Sequence, residues 1–147
     1  MKFIRGSKVS IENIADDFYE AYHRCLISDQ QNHIVAIPAF VNGLFACELY
    51  FKSLLKTENN CHEHNLKKLF DLLDEEYKKE IQSVKSNDKN TLDDLLSKIG
   101  DGFKIWRYLY EDNNENFGEG YPFDYTESFL KSYLPVIKKT VDREKQI

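Results

Sequence analysis

The sequence predicts an all-α fold, a helical bundle with four main helices and one or two short ones. Three observations carry that expectation. Apolar residues recur at spacings of three and four through most of the chain, and no segment alternates with the period of a strand. Helix-start residues stand just ahead of several of these apolar runs. One run, Ala39 to Lys56, is apolar nearly all round and reads as a central, buried helix.

The first helix is predicted over about Ser10–Ser28. Ile11, Ile14, Ala15, Phe18, Tyr22 and Leu26 form its stripe, and Ser10 is placed to cap it. Pro38 fits only a first helical turn, so the second helix begins near Ile37 and runs to about Lys56. Thr57–His64 is a polar loop. Leu66, Leu69, Phe70 and Leu73 mark a short helix, and Tyr77, Ile81 and Val84 another or its continuation. After a polar break at Ser86–Asn90, Thr91 with Asp94 three residues on resembles a capping box. Leu92, Leu95, Leu96, Ile99, Phe103, Trp106 and Tyr110 follow at helix spacing. Gly100 and Gly102 mark a kink in that stretch or a close approach to another helix. Asn113–Pro122 reads as a loop. Asp124 with Glu127 is a second capping pair, ahead of a last helix that Pro135 kinks or breaks.

Apolar residues make up 41% of the 147 positions, enough for a globular core, and no repeat or linker divides the chain. One domain over residues 1–147 is expected. The formal net charge of −5 argues against strong non-specific nucleic-acid binding, which rests on neutralising phosphates. No stretch is long and apolar enough for a bilayer span, and the N-terminus lacks a signal-peptide core. Cys25, Cys47 and Cys61 follow no disulfide spacing, which suits a reducing, cytoplasmic setting.

The residues that could carry chemistry begin with Glu48 and Lys52. They sit four apart on one face of the most apolar helix, in the favourable order for a pair. One reading is a pair at the edge of the buried face, with Lys52 reaching out to water. The other is a polar cluster inside the bundle. Arg107, in the run FKIWRYLYE, is the candidate third member, because its planar fork suits a carboxylate or a phosphate. Glu111 is one turn further. An Arg–Glu lock between two helices would use the same residues. Trp106, Tyr108 and Tyr110 read as core and interface side chains, and Cys47 as a small buried hydrophobe. Cys61, His62 and His64 match no zinc-ligand spacing, so no metal or other cofactor is expected. His64-Asn65 reads as a cap for the helix that Leu66 opens. There is no phosphate-cradling Gly-rich loop, nucleophile elbow or HExxH motif.

The order of these segments resembles the HEPN superfamily (higher eukaryotes and prokaryotes nucleotide-binding). The residues that carry the resemblance are the buried helix FACELYFKSLL, a loop, then HNLKKLFDLL, and later FKIWRYLYE. It covers about Ile34 to Glu111. It implies a HEPN-like helical bundle that forms a homodimer. Many members of the superfamily are metal-independent RNases of toxin–antitoxin or phage-defence systems, and others act as RNA-, nucleotide- or protein-binding modules, some beside an antitoxin. Arg107 matches the family's Arg, and Tyr108 stands where Asn is frequent. A His follows that Arg in active members, but Asp112, Asn113 and Asn114 hold the positions where it would fall. An Asn cannot titrate and an exposed Asp is a weak base near neutral pH, so proton transfer would pass to Glu48, Glu111 or His64. Arg107, Lys52 and Tyr108 are the implied contacts to RNA or a nucleotide.

Overall fold

A computed structural model describes residues 10–27, 35–55, 62–84, 90–102, 106 and 123–145. Among them stand seven helices and no strand, so the chain is all-α. They are α1 (Ile11–Leu26), α2 (Ala36–Leu55), α3 (Leu66–Asp71), α4 (Glu75–Gln82), α5 (Leu92–Ile99), α6 (Phe123–Ser132) and α7 (Leu134–Lys145).

Helix α2 is the centre of the bundle, and α1, α3, α6 and α7 all pack on it. Its apolar circumference leaves it no solvent face to prefer. Ala39, Phe40, Leu44, Ala46, Cys47, Tyr50, Phe51 and Leu54 are all buried. Each large apolar side chain so removed from water contributes on the order of 1.5–3 kcal/mol. Every other helix adds side chains to the same buried cluster.

The local signals account for the helix ends. The Ser10 hydroxyl accepts from the Asn13 amide at 3.1 Å and starts α1. Thr91 and Asp94 form a complete, reciprocal capping box at α5. Pro38 lies in the first turn of α2. Pro135 lies in the first turn of α7, and the helix path breaks between α6 and α7 at Tyr133. Proline can neither donate to nor fit against the carbonyl one turn back, so the run cannot continue as one helix. Asp124 is an exception: α6 begins at Phe123, which puts Asp124 inside the first turn rather than at the cap. Its negative charge still suits the positive end of that helix.

Two glycines mark close approaches. A Cβ on Gly102 would lie 2.9 Å from Leu44 Cδ1, and one on Gly100 would lie 2.9 Å from both polar atoms of the Asn65 amide. The Trp106 indole is buried against the Phe40 ring and donates its N–H to the Thr126 hydroxyl at 3.1 Å. No helix among the described residues is long and apolar enough to cross a membrane.

Candidate functional site

Helix α2 carries one acidic side chain into the core. Glu48 lies between Cys47 and the buried aromatics Tyr50 and Phe51, and its side chain is only 3% exposed. A lone carboxylate there would be costly to desolvate, so it needs cationic or N–H partners. One turn on, Lys52 supplies the first. Its ammonium donates to Glu48 Oε2 at 3.1 Å, and its side chain is 11% exposed. The second partner is His64, whose Nδ1 lies 3.2 Å from the same oxygen while the ring stays 73% exposed. The sequence-predicted residues Glu48, Lys52 and His64 therefore meet at one carboxylate oxygen. The other oxygen, Oε1, is buried and has no hydrogen-bond partner among the described residues.

The short segment before α3 explains how an exposed histidine is held in place. Glu63 accepts from the backbone amides of both His64, at 3.1 Å, and Asn65, at 2.9 Å. The Asn65 side chain caps α3 by accepting from the Lys68 amide at 3.1 Å and donates to Asp101 at 2.9 Å. The Leu66 amide donates to the Gly100 carbonyl at 3.0 Å. A side chain at position 100 would occupy the place of the Asn65 amide. The segment that carries His64 is thus tied at Asn65 and Leu66 to the residues that follow α5, and Glu63 orders the His64 amide itself.

Buried Cys47 has its thiol pushed well up, first by burial and then by the neighbouring Glu48 charge. That excludes a resting thiolate, and Cys47 takes the place of a small apolar residue. Cys25 is free as well. His23 stacks edge-on against Tyr19, 4.5 Å between ring centres, and has no part in the cluster. Among the described residues no three His, Cys, Asp or Glu side chains gather as a metal site would require. Arg107, Tyr108, Glu111 and Cys61 lie outside the described residues.

Beyond Asn65, between α3 and α5, opens a cleft of about 500 Å3 lined by Asn65, Lys67, Lys68, Ser97, Lys98 and Asp101. Lys67 is already matched by Asp71 at 2.7 Å and Asp93 at 2.6 Å, so the cleft is mixed in charge rather than basic.

Two features of this site were missed at the sequence level. The His64–Glu48 contact joins a loop to a helix sixteen positions away, and only the charge stranded in an apolar run signalled that some partner must exist. The role of Glu63 had a weaker signal, an acidic residue just ahead of an Asn that precedes an apolar stripe. Comparison of the chain with family models, with curated proteins and with solved structures gave no match.

Proposed function

We propose that this chain is a HEPN-like module, a homodimer in a bacterial defence or toxin–antitoxin setting, that binds RNA, a nucleotide or a partner protein through the polar cluster on α2. The observation that carries the reading is the convergence of Lys52 and exposed His64 on the buried carboxylate of Glu48. A chain that needed only a packed core would gain by an apolar residue at position 48, because a buried pair often does no better than hydrophobic packing. Arg107 and Tyr108 enter this reading from the sequence resemblance alone, as further contacts to phosphate and base.

The test is fluorescence anisotropy with a labelled single-stranded RNA, and with nucleotides as competitors, at low and moderate salt. Saturable binding that weakens with salt and is lost in Lys52→Gln and His64→Ala supports the module. Binding that is absent, or unchanged in both variants, counts against it.

A second reading is a metal-independent ribonuclease with an atypical site. The favouring observation is that a titratable ring, His64, stands on the Glu48 carboxylate, whereas the positions after Arg107 hold none. Cleavage of RNA by the pure protein in the presence of a chelator, abolished by His64→Ala, would support it. Intact RNA after prolonged incubation would sink it.

A further inference from the structure

We propose that Glu48 is a positioning residue that holds the His64 imidazole as its Nδ1–H tautomer and so leaves Nε2 as the single nitrogen able to take a proton from a hydroxyl of a phosphate-bearing ligand. The inference rests on the second reading above and deepens it.

Glu48 Oε2 faces Lys52 Nζ at 3.1 Å and His64 Nδ1 at 3.2 Å. As a carboxylate, Glu48 only accepts hydrogen bonds. A neutral His64 ring must then carry its proton on Nδ1, since a lone pair there would face the oxygen's own. The proton on one ring nitrogen decides the role of the other. Nε2 is left as an acceptor, on the ring edge away from Nδ1, and the ring is mostly open to water. A catalytic base needs this arrangement: a reachable nitrogen whose partner nitrogen is oriented by a third group.

Three observations separate this from a latch that merely fastens a loop. Glu63 already accepts from the His64 and Asn65 amides, the Asn65 side chain bonds Asp101 and the Leu66 amide bonds Gly100, so the segment is placed without the imidazole contact. Both donors use one carboxylate oxygen, while Oε1 is buried and has no hydrogen-bond partner among the described residues, whereas a lock built for stability would engage both oxygens. Lys52 and His64 share that oxygen, so the Glu48 carboxylate sets the imidazole beside an ammonium rather than against an apolar wall.

The experiment is nitrogen NMR of the full-length, labelled protein, with long-range proton–nitrogen correlations across the imidazole in mildly alkaline buffer. The His64 signal is expected to show a pyrrole-type Nδ1 and a pyridine-type Nε2, the reverse of the tautomer preferred by free histidine. In Glu48→Gln this preference should be lost. Acylation of His64 by diethyl pyrocarbonate, read by peptide mass spectrometry, should slow several-fold in the same variant. Where Glu48→Gln does not fold, the wild-type tautomer decides the matter alone. An Nε2–H tautomer in the wild type, a doubly protonated ring in that buffer, or equal acylation in both folded proteins would overturn the proposal. None of these measurements involves RNA, so a failure to cleave RNA would fall on the ribonuclease reading and leave the tautomer result standing.

Discussion

Glu48 shows how much one residue reveals when it breaks its neighbourhood's rule. Position 48 belongs to a helix that is apolar but for Asn42, Lys52 and Ser53, and the physical cost of a bare buried carboxylate makes a partner obligatory on sequence grounds alone. Lys52 was legible, because the partner one turn away is fixed by helix geometry. His64 was legible only as a candidate, because a loop of unknown path had to bring it back to α2. The two sides of the Glu48–Lys52 pair are not equivalent in energy. Among the described residues, removing Lys52 leaves the buried carboxylate with His64 as its remaining partner, so Lys52→Ala is expected to cost about 3 kcal/mol. Replacing the acid with an apolar side chain of similar length removes the buried charge, while Lys52 can turn its ammonium to water. Glu48→Met is therefore expected to leave stability unchanged or raise it by about 1 kcal/mol or more. Urea denaturation midpoints of the two variants check the asymmetry. Equal losses in both would mean that the carboxylate is a net stabiliser of the fold.

At the scale of the element, the local code was read most fully where one side chain answers one backbone group. Ser10, Asn65 and Thr91 each cap a helix through a hydroxyl or amide, and Pro38 and Pro135 each sit in a first turn. Asp124 failed as a cap because α6 starts one residue before it, and sequence patterns do not fix a helix start to a single residue. Gly43 was not legible at all, since nothing in the sequence tells a glycine inside a buried helix what passes beside it. A Cβ at Gly43 would lie 2.9 Å from Leu130 Cδ1 and 3.1 Å from Tyr22 Cδ2. Leu130 is fully buried and Tyr22 nearly so, which leaves neither room to move. Two effects compete in Gly43→Ala. Helix propensity favours alanine by about 1 kcal/mol. Overpacking where α1 and α6 meet α2 opposes it by roughly 1–3 kcal/mol. The expected outcome is a net loss of stability and a lower thermal midpoint, measured by circular dichroism. A rise in the midpoint would show that α6 can back away from α2 at little cost.

Across the whole molecule, the chain's first described helix and its last are joined by a polar network that no local pattern announces. The Tyr50 hydroxyl, on the buried face of α2, donates to Asp16 Oδ1 of α1 at 2.6 Å. Lys145 of α7 donates to Asp16 Oδ2 at 3.1 Å, and Lys138 lies 3.6 Å from Oδ1. Lys138 also bonds Asp142 at 2.7 Å and stands over the Tyr19 ring. Residues 16, 50 and 138–145 are too far apart in sequence for periodicity to link them, which is why the bundle's class was readable and its fastening was not. The Tyr50 phenol is pushed far up, by burial first and then by its bond to Asp16, so it remains a donor at any ordinary pH. For Asp16, burial raises the carboxyl pKa. The Tyr50 hydrogen bond, Lys145 and Lys138 outweigh that and hold it below its ordinary value. A carboxylate whose folded pKa is depressed gives stability that is complete above the unfolded value, about 3.9, and is lost as pH falls through the folded one. Asp16→Asn should therefore be less stable than the wild type at neutral pH. The gap should narrow progressively below about pH 5, as protonation deprives the wild type of the same interaction. Part of the gap rests on the exposed Lys145 contact and should shrink with added salt, while the Tyr50 bond should not. Urea titrations of both proteins across that pH range, at two salt concentrations, measure this directly. A gap that stays constant or widens on acidification would show that Asp16 acts by packing rather than by charge.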